Sequence, residues 1–154
     1  ALIEKIRGEA AVRFGLTDAP EKAREESPYN PFFAIVSPAA DYICFNGTEV
    51  KREETDLVSR LLFMLHMHKA YPITGTVCTG AAMRIPGSIP WELMSEEARR
   101  RPNLRIGHPA GVIGVEVEAE TDEKETAGMR MKSIKVVRTA RMIMDGTVYV
   151  KGML

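Results

Sequence analysis

The chain has 154 residues, enough for one domain with a substantial core and too few for two comfortable ones. Lysine and arginine total 21, as do aspartate and glutamate, so the zero net charge argues against a nucleic acid or membrane surface held mainly by charge. Cys44 and Cys78 form neither a disulfide framework nor a zinc-binding spacing, and no apolar run reaches the length of a membrane span, so we expect a cytoplasmic protein.

The first third of the chain predicts a helix, a loop, a strand and a hairpin. In LIEKIRGEAAVRFGL, apolar residues at nearly helical spacing predict a leading helix within residues 1–16, and the polar stretch 17–31 predicts an exposed loop. FFAIVS is typical of a buried strand ended by Pro38, and DYICFNGTEV predicts a hairpin that turns at Asn46-Gly47. The apolar stripe of the helix consists of Leu2, Ile6, Ala10, Val12, Phe14 and Leu16.

The middle of the chain contains one ambiguous segment and two predicted helices. TDLVSRLLFMLHMHKAYP fits either a helix capped by Thr55 or Asp56 or a fully buried strand, and periodicity does not decide between them. The small residues of ITGTVCTGAAMRIPG predict a helix packed closely on all sides, because glycine and alanine permit close approach. WELMSEEARRR predicts one short amphipathic helix.

The last third of the chain predicts antiparallel strands. From Val115 onward, apolar and acidic residues alternate as in a half-buried strand, and the charged stretch 120–128 predicts a hairpin loop. RMKSIKVVRTARMIM and TVYV predict two further strands joined by a turn at Asp145-Gly146. Several antiparallel strands around one small-residue helix indicate an α+β domain, and the absence of a regular βαβ alternation argues against a Rossmann-type sheet.

Four sequence blocks, in the same order and spacing, resemble the C-terminal half of the PrpF-like isomerases: DLVSR, HKAYPITGTVCTGAAMRIPGS, RIGHPAG and VVRTARMIMDGTVYV. The family includes 2-methylaconitate and 3-methylitaconate isomerases and 4-oxalomesaconate tautomerase, and the similarity covers residues 2–150. The resemblance implies a diaminopimelate-epimerase-like fold, in which two similar domains each wrap strands around a central helix. The substrate lies in the cleft between the two domains.

The resemblance also implies a division of labour. Residues 1–16 would be a leading helix and residues 17–154 one epimerase-like domain, the second half of a two-domain protein. The family's proton-transferring lysine and cysteine belong to the first half and have no counterpart here, so no catalytic residue is expected and it stays open whether this chain alone is an enzyme. The expected activity is migration of a double bond in a small unsaturated di- or tricarboxylic acid such as methylaconitate, aconitate or oxalomesaconate. It requires neither metal nor cofactor.

Two segments are candidates for holding the carboxylates of such a metabolite. The backbone amides of Thr74, Gly75 and Thr76 would be free at the start of the small-residue helix, where the helix dipole favours an anion. In the alternative interpretation, Thr74 only caps its own helix. The resemblance favours substrate binding, because the family's fold directs this helix end to the substrate.

The second candidate segment is the turn GHPAG. His108 would bind a carboxylate as imidazolium or as a neutral donor, and the amides of Ala110, Gly111 and Val112 would complete an anion site. The alternative is a structural histidine that binds a neighbouring carbonyl. Ala110 stands where related proteins usually have serine, so one hydroxyl contact is missing.

Four other features have weaker claims to function. His66 and His68 have no third ligand nearby and make a poor metal site. Lys69 is either a cation near the cleft or a solvated surface residue. Cys78, one turn inside the helix, is expected to be a buried and inert thiol, although a racemase with Cys78 as thiol base is an alternative. Arg138 and Arg141 would face opposite sides of a strand, where one would pair with Glu116 or Glu118.

Two kinds of partner are expected besides the carboxylate metabolite: the missing N-terminal half, or a second copy of this chain in a homodimer. The alternative function is therefore a catalytically inactive half-domain that folds or dimerises.

Overall fold

The structure is a computed structural model that describes residues 2–64, 66–125, 127–138 and 140–152. Its strands are β1 (Phe33–Pro38), β2 (Tyr42–Ile43), β3 (Glu49–Val50), β4 (Leu57–Phe63), β5 (His66–Met67), β6 (Asn103–His108), β7 (Gly111–Thr121) and β8 (Met129–Val136). Its α-helices are α1 (Leu2–Arg13), α2 (Ala23–Glu26), α3 (Ile73–Ala82), α4 (Ile89–Leu93) and α5 (Glu96–Arg100). Short 3-10 turns precede α2 and β4, at Pro20–Lys22 and Arg52–Glu54.

Six strands form one mixed sheet in the order β1–β4–β6–β7–β8, and β5 pairs with the end of β4. Every pair is antiparallel except β4 and β6, which run parallel. β2 and β3 form a separate hairpin, with Gly47 in the left-handed region at φ 85° as the predicted Asn46-Gly47 turn requires. The mixed α+β class and the mostly antiparallel sheet agree with the prediction from sequence.

The core lies between α3 and one face of the sheet. Residues that pair across strands share a face, which places the side chains of Leu57, Ile106 and Val115 on the side of α3. A Cβ atom on Gly80 would lie 3.0 Å from Val115, so this glycine permits the close approach of helix and sheet. The buried hydrophobic residues of this cluster also include Leu61, Tyr71, Met83, Met94, Leu104 and Val117.

The ambiguous segment after Thr55 is a strand, and Asp56 is not a helix cap. The Asp56 carboxylate is almost fully buried and accepts hydrogen bonds from the Arg105 guanidinium at 2.7 and 3.2 Å and from Arg101 at 3.0 Å. Its Oδ2 also accepts from the Arg105 N–H at 2.9 Å. These contacts join the start of β4 to β6, which fixes the segment as a central strand.

Three local predictions need correction. The loop predicted at 17–31 contains the Pro20–Lys22 turn and α2, and the single helix predicted after Pro90 is two helices, because Ser95 caps a new one by accepting from the Ala98 N–H. In α1 the buried residues are Arg7, Gly8 and Ala11, whereas the predicted stripe is largely exposed: Leu2 71%, Ile6 48%, Phe14 71% and Leu16 42%.

The prediction that α3 is packed on all sides is wrong. Its face toward the sheet is buried at Gly75, Thr76, Thr79 and Gly80, whereas Thr74 and Cys78 are exposed. Because the sheet covers only one side of the helix, the opposite side stays open.

The two last predicted strands are also corrected. β8 ends at Val136, and the described residues 140–150 lie outside helix and strand with their side chains exposed, so the Asp145-Gly146 hairpin does not form. A two-stranded hairpin without a third strand to pack on is marginal in water, which explains why the strand pattern alone is insufficient. The predicted 120–128 loop does join β7 to β8; its Thr126 falls outside the described residues. No described helix is long and apolar enough to span a membrane.

Candidate functional site

The GHPAG segment forms the turn between β6 and β7. His108 pairs with Gly111 across the two strands, and only Pro109 and Ala110 lie between them. The turn is therefore a tight hairpin connection and not a wide anion-binding loop. Gly111 has φ 139°, in the region that favours glycine, which accounts for the glycine that follows the turn.

His108 uses one ring nitrogen within the turn. Its Nδ1 accepts a hydrogen bond from the Ala110 N–H at 3.2 Å, so the ring proton of the neutral imidazole is on Nε2. Burial lowers the pKa of His108, and electrostatic interactions with Arg60 and His68 lower it further. At neutral pH the side chain is thus an uncharged donor, and Nε2 has no acceptor among the described residues.

A cavity of about 370 Å³ opens beside this imidazole, and we call it the His108 cavity. The two glutamates of β7 that were predicted to pair with an arginine have other partners: Glu116 pairs with Lys135 at 2.7 Å, and Glu118 accepts from Ser133 Oγ at 3.3 Å. The predicted pairing of Arg138 or Arg141 with Glu116 or Glu118 is not found among the described residues, because both arginines lie beyond the end of β8. The lining residues are Ala70, Tyr71, His108, Val112, Ile113, Gly114, Val137 and Arg138.

The predicted amide cluster at Ala110, Gly111 and Val112 is only partly available. The Ala110 N–H is occupied by His108, and Gly111 pairs with His108 across the turn. The Gly114 carbonyl accepts from the Val137 N–H at 3.5 Å, so the backbone groups of Gly114 point toward the edge of β7 that β8 flanks. Because alternate residues of a strand direct their backbone groups to the same side, the Val112 N–H also faces this edge.

The start of α3 differs from the prediction at one of three residues, Thr76, and the alternative in which Thr74 caps the helix is also wrong. Pro72 is the N-cap residue and the helix begins at Ile73, so Thr74 does not cap it. The Thr76 N–H donates to the Pro72 carbonyl at 2.8 Å, and its hydroxyl donates to the same oxygen at 2.9 Å. Thr76 is thus unavailable to a ligand, whereas the amides of Thr74 and Gly75 have no partner within the helix.

Thr74 and Gly75 line a second, mostly apolar cavity of about 500 Å³ along α3, which we call the α3 groove. The two cavities share no described lining residue, so the structure does not bring the helix start and His108 into one site. A chain of hydroxyl groups lies between them: Tyr71 Oη is 2.7 Å from Ser59 Oγ and 2.9 Å from Thr79 Oγ1. The groove is lined by Phe14, Asn30, Pro31, Phe32, Ala34, Leu61, Thr74, Gly75, Cys78 and Thr79.

The remaining candidates take no part in the His108 cavity. Cys78 is exposed along the α3 groove, so the prediction of a buried thiol is wrong; Cys44 is the buried cysteine. Lys69 is exposed, and His66 lies exposed on β5. Within the described residues, no three histidine, cysteine or acidic side chains are grouped as a metal site requires.

Reasoning from the sequence missed three residues near His108. The Tyr71 ring lies 6.3 Å from the imidazole, centroid to centroid, and the Arg60 guanidinium lies 4.8 Å from the Tyr42 ring. Arg60 belongs to the DLVSR block, but the sequence does not show that this block is a strand next to β6. Only that placement brings Arg60 to the turn that carries His108.

Comparisons with known proteins agree on one family. A model of the family described as PrpF protein matches residues 1–151. The 3-methylitaconate isomerase of Eubacterium barkeri is 40% identical over 152 residues, which is 98% of this chain and 38% of that protein. The 2-methyl-aconitate isomerase of Cupriavidus necator is 33% identical over 142 residues, which is 92% of this chain and 34% of that protein.

A solved structure of the same kind of isomerase has a similar fold. The crystal structure of methylitaconate-delta-isomerase matches with a TM-score of 0.74 and 37% sequence identity, over 88% of this chain and 36% of that chain. The chain thus spans a little more than a third of the length of the relatives it matches. On the family match and these identities, the chain belongs to the PrpF family.

Proposed function

We propose that this chain is the carboxylate-binding part of an isomerase that moves a carbon–carbon double bond in a small unsaturated di- or tricarboxylic acid, such as methylaconitate, aconitate or oxalomesaconate. The observation that carries the proposal is the His108 cavity, where an uncharged imidazole donor and the Arg138 cation line one space. The names of the two relatives, a methylitaconate and a methylaconitate isomerase, support this class of substrate.

The chemistry assigns this chain a binding role. Migration of the double bond requires a base that removes an allylic proton and an acid that returns one two carbons away. The resulting dienolate is stabilised when fixed donors hold the carboxylates. His108 Nε2–H and the Val112 N–H donate to one carboxylate, and the Arg138 guanidinium supplies positive charge. The amides of Thr74 and Gly75 are a weaker second contact. Proton transfer belongs to residues outside this chain.

The proposal includes the domain arrangement. Residues 1–16 lead into a diaminopimelate-epimerase-like domain at residues 17–154, which is the second half of a two-domain protein. The match over little more than a third of each relative supports this arrangement. In this arrangement the open side of α3 and the His108 cavity face the first half.

Titration with cis-aconitate tests the proposal. His108→Ala removes a donor to a charged group, so we expect its Kd to rise about tenfold or more. His66→Ala is the matched control, because His66 is exposed on β5 and outside both cavities, and it leaves the Kd unchanged. Equal binding by the wild type and His108→Ala contradicts the proposal. The chain alone does not isomerise cis-aconitate or methylaconitate, and a change in their absorbance would contradict the division of labour.

A second candidate is the catalytically inactive half-domain that folds or dimerises. The observation that favours it is the amount of exposed apolar surface: Leu2 and Phe14 at the α1 end are each 71% exposed, and residues 142–144 are about 85% exposed. Surface of this kind marks a contact with another polypeptide. The first half of a longer protein and a second copy of this chain are both consistent with it.

A further inference from the structure

Three carbonyl groups of the His108 turn accept hydrogen bonds from outside the turn. The Tyr42 hydroxyl donates to the Gly111 carbonyl at 2.6 Å, and the Phe45 N–H donates to the Pro109 carbonyl at 2.9 Å. Arg60 Nη1 donates to the Gly107 carbonyl at 3.4 Å. The donors come from β4 and from the β2–β3 hairpin, so two separate elements hold the turn that carries His108.

Tyr42 and Arg60 also contact each other. The Arg60 guanidinium stacks over the Tyr42 ring at 4.8 Å, a distance at which a cation is attracted by the ring face. A second bond from Arg60 Nη1 to the Ser59 carbonyl, at 2.9 Å, fixes the guanidinium on its own strand. The two side chains therefore act as one unit, which we call the Tyr42–Arg60 brace.

The brace is fitted closely to the turn. A Cβ atom on Gly107 would lie 2.9 Å from Tyr42 Oη and 3.0 Å from Tyr42 Cε1, so the phenol ring lies directly against the residue before His108. Only glycine allows this contact. The glycine that precedes the histidine in GHPAG therefore makes room for the brace.

We propose that Tyr42 and Arg60 are positioning residues for His108: the brace fixes the turn so that Nδ1 stays on the Ala110 N–H and the Nε2–H stays directed to a bound carboxylate. This inference rests on the proposed role of His108 in carboxylate binding. Neither brace residue lines the His108 cavity, so both act through the turn and do not touch the ligand. Arg60 has a second effect, because its charge helps to keep the imidazole neutral.

The test is a double-mutant cycle with cis-aconitate as the probe. Tyr42→Phe removes one hydrogen bond and keeps the ring under Arg60, and we expect the Kd to rise about three- to tenfold. In the His108→Ala background the same change alters the Kd less than about twofold, because a residue that acts through His108 has no further effect once His108 is absent. Tyr29→Phe is the control, since the Tyr29 hydroxyl is exposed and forms no hydrogen bond within the described part of the chain; it changes nothing.

A second readout follows the imidazole directly. NMR of His108 nitrogens in the wild type shows the Nε2–H tautomer, and Tyr42→Phe shifts the ring toward a mixture of the two tautomers. Arg60→Gln raises the pKa of His108, whereas Arg60→Lys keeps it close to the wild-type pKa. Thermal unfolding of each variant confirms that it is folded before binding is measured.

The outcomes separate the two proposals. If His108→Ala binds cis-aconitate as the wild type does, the proposed function fails. If His108→Ala weakens binding and Tyr42→Phe does not, or if their effects simply add, the brace does not position His108. A wild-type tautomer pattern in Tyr42→Phe also overturns the inference.

Discussion

His108 shows how one side chain is prepared for binding by its own turn. Nδ1 is occupied by the Ala110 N–H two residues along the chain, which leaves Nε2 as the donor. Burial opposes a charge on the ring, so the histidine offers a hydrogen bond and leaves the positive charge to arginine. The imidazole stays a neutral hydrogen-bond donor at every pH above the lowered pKa of His108.

The lowered pKa of His108 predicts that the folded state loses stability in acid. Below the unfolded-state pKa of about 6.5, the unfolded chain takes up a proton that the folded imidazole does not, so the free energy of unfolding falls as the pH decreases toward the folded pKa. His108→Gln removes this contribution, and we expect its free energy of unfolding to fall less between pH 7.5 and pH 5.5. Urea unfolding at the two pH values measures both proteins. Identical pH dependence in the wild type and variant would contradict the prediction.

The sequence identified His108 but not the residues that hold it. The histidine is conspicuous in the sequence because it lies between Gly107 and Pro109. Tyr42 donates to a carbonyl 69 residues away, and nothing local to DYICFNGTEV indicates that contact. Hydrogen bonds between distant segments depend on the strand order, which the sequence pattern leaves open.

At the scale of elements, α1 shows why an apolar stripe in the sequence did not predict the buried face of the helix. The helix buries Arg7, whose guanidinium donates to the carbonyls of Ala23, Ser27 and Asn30 and pairs with Glu4 at 2.5 Å. A buried arginine with all these acceptors is satisfied, so it replaces the expected apolar contacts. Hydropathy alone does not reveal such a cluster, because its acceptors are backbone carbonyls of the following segment.

Gly8 makes this docking of α1 sensitive to a single methyl group. A Cβ atom on Gly8 would lie 2.4 Å from the Pro20 carbonyl oxygen, and this backbone group cannot move as a side chain does. Overpacking costs about 1–3 kcal/mol, and a 2.4 Å contact with a backbone atom belongs to the upper part of that range, about 2–3 kcal/mol. Helix propensity offsets about 1 kcal/mol of this cost, so we expect Gly8→Ala to lower the free energy of unfolding by about 1–2 kcal/mol. Chemical denaturation measures the change.

The neighbouring residue provides the control for this prediction. Glu9→Ala lies on the exposed side of the same helix and changes the free energy of unfolding by less than about 0.5 kcal/mol. If Gly8→Ala is as stable as Glu9→Ala, α1 is not held against the Pro20–Lys22 turn as described.

For the other elements, the sequence pattern predicted a segment correctly where its structure depends on residues that are close to it along the chain. The β2–β3 hairpin follows from its turn residues, and β7 from its alternation, because both are determined by neighbours along the chain. TVYV has an equally good strand pattern and is not a strand, since a strand also needs a partner. The pattern therefore predicts the capacity to pair, and the tertiary structure decides whether pairing occurs.

At the scale of the whole molecule, two of the exposed apolar surfaces of the described residues are relevant to what covers this chain. One is the side of α3 with the α3 groove, which the exposed Phe14 borders. The other is the segment 140–150, where Met142, Ile143, Met144, Val148 and Tyr149 are 84–88% exposed. The net charge of zero gives no long-range repulsion against another polypeptide. Both surfaces are thus suited to be covered by another part of a longer protein or by a second copy.

Limited trypsin digestion of the 154-residue chain tests whether the segment 140–150 is open in solution. Its residues are exposed and outside helix and strand, so we expect the first cut after Arg141, whereas the bonds after Lys132 and Lys135 in β8 are protected by pairing with β7. Mass spectrometry of the early fragments identifies the cut. A bond after Arg141 as resistant as those of β8 would contradict an open segment. Light scattering on the same sample then shows whether a second copy covers it: resistance together with a dimer mass assigns the segment to a homodimer contact.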